Sequence, residues 1–229
     1  MASEITWLGH SAFAVRTSNH QILIDPFLDD SPTAPLKAHE VAADTILLTH
    51  GHFDHVGDSV AIAQRTGAVV VANFEIGEWL KAQGVAAEQV VAMNTGGSAQ
   101  LPFGMVKMTY AQHSSGLPDG SYGGIAGGFV LELPEGHIYF AGDTALHLDM
   151  KLVGMGGLAL AVLPIGDLFT MGPDASLEAI SFLNPDRVLP CHYNTWPPIQ
   201  QDAAAWAERV RLHTSAEPVV LQPGEKISL

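Results

Sequence analysis

The chain has a single cysteine, Cys191, in 229 residues. No internal disulfide can form, and a reducing, cytoplasmic setting is expected. Positive charge is scarce: 10 Lys and Arg stand against 24 Asp and Glu, a formal net charge of −14. A surface of that sign repels polyanions, which disfavours nucleic acid and anionic membranes as partners. Long apolar runs are also missing. The most apolar stretch, Gly156 to Ile165, is too short to span a bilayer and carries glycines and a proline. No basic segment leads into an apolar one at the start of the chain, so no secretory leader is expected. Two catalytic signatures are absent: no Gly-x-Ser-x-Gly marks a serine nucleophile, and no Gly-Lys-Ser/Thr follows the glycine-rich stretch from Gly116 to Gly128.

What is present is a compact composition, 47% hydrophobic and 15% charged, long enough to bury a core. No repeat, low-complexity tract or linker divides it, so residues 1–229 are expected to form one domain. Histidine is concentrated in one place. Thr49-His50-Gly51-His52-Phe53-Asp54-His55 follows the apolar run Thr45-Ile46-Leu47-Leu48 and reads as a strand ending in a metal-binding loop. Imidazole nitrogen and carboxylate oxygen suit zinc, manganese or iron. Within the loop, His50 and His52 can face one ion while Asp54 and His55 face a neighbour. Clustering imidazoles without a ligand is costly, because neighbouring rings repel once protonated.

Along the rest of the chain, short strands are expected at Glu4 to Trp7, Ala12 to Thr17 and Gln21 to Asp25, with His20 a polar turn residue. Asp29 to Val41 reads as a loop, with His39 on the surface. Ser59 to Arg65 and Phe74 to Gln83 read as helices, stopped by Gly67 and Gly84. Strands are expected at Ala68 to Ala72, Val90 to Ala92 and Met105 to Ala111, the last delivering His113. The glycine-rich segment reads as a mobile loop over the site. Phe129 to Leu133 and His137 to Ala141 form a hairpin that ends at Gly142-Asp143, with His137 exposed and His147 on a helix surface or the rim. Further strands at Leu158 to Leu163 and Arg187 to Pro190 lead to Asp167 and His192, with a helix from Asp174 to Leu183 between them. Cys191 alternates to the face opposite His192 and is expected to be buried. A helix from Gln201 to Leu212 and strands at Val219 to Leu221 and Lys226 to Ser228 close the chain. Asp25 ends an apolar strand, so its buried carboxylate needs a partner, and a hydrogen bond to a ligand histidine would supply one.

The histidine-rich loop, together with His113 in Ala-Gln-His-Ser-Ser, Asp143 in Gly-Asp-Thr, His192 in Pro-Cys-His-Tyr and Asp25 after Ile22-Leu23-Ile24, resembles the metallo-β-lactamase fold superfamily over nearly the whole chain. Gly9-His10-Ser11, Phe169-Thr170-Met171-Gly172-Pro173 and His192-Tyr193-Asn194-Thr195-Trp196-Pro197-Pro198 look most like a branch of small metal-dependent hydrolases related to L-ascorbate-6-phosphate lactonase and, more distantly, N-acyl-phosphatidylethanolamine phospholipase D. The resemblance implies a four-layer αββα sandwich of two mixed β-sheets, its halves (roughly 1–115 and 116–229) meeting at the site. It also implies that His50, His52 and His113 hold one metal, that Asp54, His55 and His192 hold a second, and that Asp143 bridges them.

Seven ligands exceed the needs of one tetrahedral ion and suit two divalent ions, Zn2+ first and Mn2+ or Fe2+ as alternatives. The expected reaction is cleavage of a small-molecule ester, lactone or phosphoester by a water that the ions activate. Asp54 would orient that water or take its proton, and His10 would serve as an acid if it faces the pocket. Phosphodiesterase or nuclease activity and an iron-based redox reaction are the alternatives, with a non-catalytic metal-binding protein behind them. Substrate contacts are expected from His10-Ser11, the glycine-rich loop, and Tyr193, Asn194 and Trp196. None of these segments carries Lys or Arg, which favours a neutral or modestly charged substrate. Self-association as a homo-oligomer is compatible with the sequence.

Overall fold

Alternation in the strands decides which layer each residue joins. In the computed structural model, which describes residues 2–229, the first half of the chain forms β1 (Glu4–Trp7), β2 (Phe13–Arg16), β3 (Gln21–Ile24), β4 (Thr45–Leu47), the single-turn helix α1 (Phe53–Val56), α2 (Ser59–Thr66), β5 (Val69–Asn73), α3 (Phe74–Ala82), β6 (Val90–Met93), β7 (Ser98–Leu101) and β8 (Gly104–Tyr110). The second half forms β9 (Gly127–Leu133), β10 (Gly136–Phe140), α4 (Met150–Gly154), β11 (Leu160–Pro164), α5 (Pro173–Leu183), β12 (Arg187–Cys191), α6 (Ala203–His213), β13 (Glu217–Pro218) and β14 (Lys226–Ser228). Ile22, Ile24, Leu47 and Val71 point into the core between the sheets, together with Phe129, Leu131 and Ile138. Their neighbours Leu23, Ile46, Leu48, Val70 and Ala72 point the other way, onto Ile62 and Ala63 of α2 and Ile76 and Leu80 of α3. Both faces of these strands are buried, so each reads as a continuous apolar run.

Two seven-stranded sheets result, ordered β14-β1-β2-β3-β4-β5-β6 and β13-β12-β11-β10-β9-β8-β7. Each joins antiparallel strands to a parallel set: β3 to β6 run parallel in the first, β10 to β13 in the second. With helices on the outer faces, this is the expected αββα sandwich. The helices carry local start and stop signals. Asn73 caps α3 by accepting from Ile76 N–H, Asp202 caps α6 by accepting from Ala205 N–H, and Gly67 ends α2 in the left-handed conformation. The buried Trp206 indole N–H donates to Ser176 Oγ at 2.9 Å and ties α6 to α5.

The division into halves at 115 and 116 needs correction. β7 and β8 already belong to the second sheet, and β14 returns to the first, beside β1. β7 (Ser-Ala-Gln-Leu) escapes a reading by hydrophobic pattern because it is a half-exposed edge strand. The strand expected at 219–221 lies earlier, at Glu217–Pro218, and Gly127 and Gly128 belong to β9 rather than to a loop. His20 is more than a turn residue: its Nε2 lies 2.9 Å from Thr45 Oγ1 and its ring packs on Phe103 in the turn between β7 and β8. His137 is half-buried, and His147 lies in a loop with its ring edge-on to Tyr110. Among the described residues no helix is long and apolar enough to cross a membrane.

Candidate metal centre

Strand ends deliver the candidate ligands. β4 runs out through Leu48, whose N–H still pairs with Val71 O, and the chain then turns through His50-Gly51-His52 into α1. Gly51 lets this turn close: a Cβ there would lie 3.1 Å from Leu117, and its N–H donates to Ser115 Oγ. The single turn of α1 carries Asp54 and His55 toward His192, with the His55 ring still 4.0 Å from that of His50. His113 follows β8, Asp143 follows β10, and His192 follows β12. His10, Asp25 and His192 all have φ near +50°, a conformation non-glycine residues rarely adopt. Three such residues around one site mark backbone strain held in place by their surroundings. Among these surroundings, His192 N–H and the Trp7 indole both donate to His10 O.

The ligand atoms form two groups. Those of His50, His52 and His113 lie within 4.8 Å of one another, as do those of His10, Asp54, His55 and His192. One oxygen of Asp143, Oδ2, stands between the groups: 3.6 Å from His113 Nε2, 4.0 Å from His50 Nε2, 3.4 Å from His55 Nε2 and 3.0 Å from His192 Nε2. All seven sequence-predicted ligands are thus brought to one cleft.

The buried atoms fit a metal. His55 Nε2 and Asp143 Oδ1 are enclosed without a hydrogen-bond partner. Such orphans are rare unless an ion or water satisfies them. Protonation points the same way. Asp25, 1% exposed, accepts from Thr49 N–H (2.8 Å) and Thr49 Oγ1–H (2.6 Å) through separate oxygens, and from His55 Nδ1–H (2.8 Å). Thr49 Oγ1, having donated, accepts from His50 Nδ1–H at 3.0 Å. Both His50 and His55 therefore keep a proton on Nδ1, which leaves Nε2 as the nitrogen each can offer a metal.

Burial holds His50, His52 and His113 below the ordinary imidazole value, which keeps them neutral donors. Burial also pushes Asp143 upward, but the His192 and His55 charges outweigh it and hold the carboxylate well below its usual range. For His55, burial acts downward and the adjacent Asp143 and Asp25 carboxylates override it, raising the group well above 6.5. The neutral His50, His52 and His113 nitrogens beside ionised carboxylates form a donor set for a divalent cation, and the proton His55 holds on Nε2 is one that a bound cation would displace.

His10 is fully buried and does not reach the cavity, so the condition attached to its acid role is unmet. Its Nε2–H donates to Asp54 Oδ2 at 3.0 Å, and its Nδ1 accepts from Thr195 Oγ1–H at 2.8 Å. Burial lowers it to about 4. It stands behind Asp54 as a fixed neutral donor. Asp54 itself stays ionised: burial pushes its carboxyl up, but the hydrogen bond from His10 and the neighbouring imidazoles together outweigh it.

A cavity of about 510 Å3 opens over the ligands and is walled by Phe53, Ser114, Phe169, Trp196 and Pro198. Trp196 is where the sequence placed it. Tyr193 and Asn194 need correction, since alternation and a left-handed turn at Asn194 (φ 59°) carry them away from this wall. Tyr193 stacks on Trp7 at 5.4 Å, and Asn194 Oδ1 accepts from Gln201 N–H. Both border a separate cavity of about 530 Å3. The sequence reasoning missed Phe53 and Phe169, which are 58% and 57% exposed. The available signal was a phenylalanine inside a metal-binding loop and another, beside Leu168, in the turn after Asp167. Asp167, left open between site and turn, is exposed and caps its own turn by accepting from Leu168 N–H. The glycine-rich segment lines an adjoining groove rather than the cavity itself, and hydrogen bonds anchor it at both ends.

An αββα sandwich with a buried His/Asp cluster where its strands end defines a metallo-β-lactamase fold hydrolase. Residues 20–193 match the beta-lactamase superfamily domain. The chain is 49% identical over 226 residues to a UPF0173 metal-dependent hydrolase of Thermus thermophilus, covering 99% of both chains. It is 44% identical to another of that name from Methanopyrus kandleri, covering 96% of this chain and 97% of the relative. Among solved structures it resembles Igni18, a metallo hydrolase from Ignicoccus hospitalis, with a TM-score of 0.89 and 33% identity over 100% of this chain and 99% of that one. The chain belongs to the beta-lactamase superfamily, among the UPF0173 metal-dependent hydrolases.

Proposed function

We propose that this hydrolase holds two divalent ions and cleaves an uncharged or weakly charged small molecule at an ester or lactone bond. His50 Nε2, His52 and His113 Nε2 would hold one ion; Asp54, His55 Nε2 and His192 Nε2 the other; and Asp143 Oδ2 would contact both. Such a pair supplies Lewis acidity, lowering the pKa of a shared water and polarising the scissile group, with Zn2+ the first choice and Mn2+ or Fe2+ the alternatives. The chain's own residues supply the rest. Asp54 is ionised, lies on the cavity wall and is held by His10, which makes it the base for a proton leaving the attacking water. Phe53, Phe169, Trp196 and Pro198 exclude water around the reacting bond and hold the apolar part of the substrate.

The observation that carries this reading is the composition of the cavity wall. Beyond the metal ligands it is mainly aromatic and prolyl, and no Lys or Arg is among the described residues lining it. A phosphodiester would find no side-chain cation there, and the net charge of −14 gives a polynucleotide no approach surface. The test is a screen of protein reconstituted with quantified Zn2+ or Mn2+ against neutral lactones, aryl esters, thioesters, β-lactams and phosphodiesters. Esters or lactones should exceed phosphodiesters at least about tenfold in kcat/KM, and Trp196→Ala should lose about tenfold or more with its metal content intact. A preference for phosphodiesters would overturn the reading.

A further inference from the structure

We propose that the groove beside the metal cavity, bordered by the glycine-rich loop, is a second substrate subsite, so that the substrate is an elongated molecule with an apolar arm on each side of the scissile bond. The inference rests on the reading of the site as one for an uncharged substrate. The groove, about 380 Å3, is lined by Tyr110, Ser115, Tyr122 and Ile125, and it shares His113 and Ser114 with the cavity. A bond held at the ligand cluster therefore has room on both sides of His113.

The loop is built to hold a shape. Ser115 Oγ accepts from Gly51 N–H at 3.0 Å and donates to Gly123 O at 2.8 Å. Asn73 Nδ2 donates to Gly123 O at 2.7 Å and to Ile125 O at 3.1 Å, and Gly116 pairs with Tyr122 in an antiparallel bridge. Close packing forbids slack: a Cβ on Gly123 would lie 2.7 Å from Ser115 O, and one on Gly124 would lie 2.5 Å from Asn73 Nδ2. Yet this pinned loop leaves Tyr122 67% and Ile125 55% exposed. Two large apolar side chains held in water beside a catalytic site gain little for the fold. They form a preorganised surface, which binds at lower cost than one ordered on contact. No Lys or Arg is among the described residues lining the groove, so its occupant is an apolar arm rather than an anionic one.

The experiment measures binding of two ketones to the metal-loaded protein by calorimetry. Each is an ester analogue with a methylene in place of the ester oxygen: benzylacetone carries one aromatic arm, and bis(phenylethyl) ketone carries two. Burial of the second ring should make the two-armed ketone bind at least about tenfold tighter. In the Tyr122→Ser/Ile125→Ser double variant the ratio of the two dissociation constants should fall to near one. Both side chains are exposed, so the variant should fold; if it does not, Tyr122→Ser alone should reduce the ratio. A wild-type ratio near one, or a ratio that survives the substitutions, overturns the inference. Because the ketones are not hydrolysed, the ratio reports on the groove independently of turnover. Ester turnover with a flat ketone ratio would remove the groove and leave the hydrolytic reading standing.

Discussion

Asp25→Asn changes no volume and yet should cripple both halves of the metal centre. Asp25 meets three donors at once, Thr49 N–H, Thr49 Oγ1–H and His55 Nδ1–H. An asparagine that keeps its oxygen on Thr49 N–H presents an NH2 group to the other two. That NH2 can only donate, so His55 Nδ1 must give up its proton and carry it on Nε2 instead. Thr49 Oγ1, now an acceptor, must donate to His50 Nδ1, which moves the His50 proton to Nε2 as well. Each Nε2 faces the cluster, so one substitution blocks a ligand in each group. The flipped amide is no escape, because it sets its NH2 against Thr49 N–H, a buried donor facing a donor at a cost of about 1–3 kcal/mol. Loss of one outer partner of a metal-binding histidine weakens affinity by roughly 10- to 100-fold. The same range is expected here at each of the two ions proposed above. Competition with a chromophoric chelator and metal analysis after dialysis would measure it, with a thermal melt of the metal-free variant confirming the fold. Wild-type affinity for both ions in Asp25→Asn would refute the tautomer argument.

Asp143→Ala should reduce binding of both ions, whereas His192→Ala should mainly weaken the second; full two-ion occupancy by elemental analysis of Asp143→Ala would show that the carboxylate is not shared. Acid should act in part through His10, alongside His50, His52 and His113, which burial also depresses. His10 titrates at about 4 in the folded chain against 6.5 ordinarily, so between those values the unfolded state binds the extra proton and stability falls with falling pH. The loss is about 3 kcal/mol at most, and urea midpoints of metal-free wild type and His10→Gln should converge from pH 7 to 4.5; a constant gap would contradict the assignment. Gly142→Ala should destabilise by about 2–4 kcal/mol, because φ is +64° and the new Cβ would lie 2.6 Å from Gly127 O and 2.9 Å from Thr49 Cβ. A melting temperature within a degree of wild type would show that the turn has slack.

Much of this molecule was legible from residue order alone, for local reasons. Apolar runs that end in His or Asp announce strands that deliver ligands, and Gly67, Gly84 and Gly142 mark turns whose chemistry is confined to a few neighbours. The ligands His50, His52, Asp54 and His55 could be read because one short loop holds them all. Other features required the packed structure. β7 is a polar edge strand, and its pairing with β8 leaves little trace in its hydrophobic pattern. That β14 returns to the first sheet depends on contacts more than 200 residues apart in sequence, Glu4 opposite Ser228 among them. The side on which His10, Tyr193 and Asn194 fall was decided by left-handed backbone turns at His10, His192 and Asn194, a conformation that residue type does not announce. Likewise Phe53 and Phe169 become walls only because the sandwich brings α1 opposite the turn after β11. Sequence determined the chemistry of the centre, since ligand atoms belong to residue types. Tertiary structure decided which side chains border it, since that depends on where distant strand ends meet.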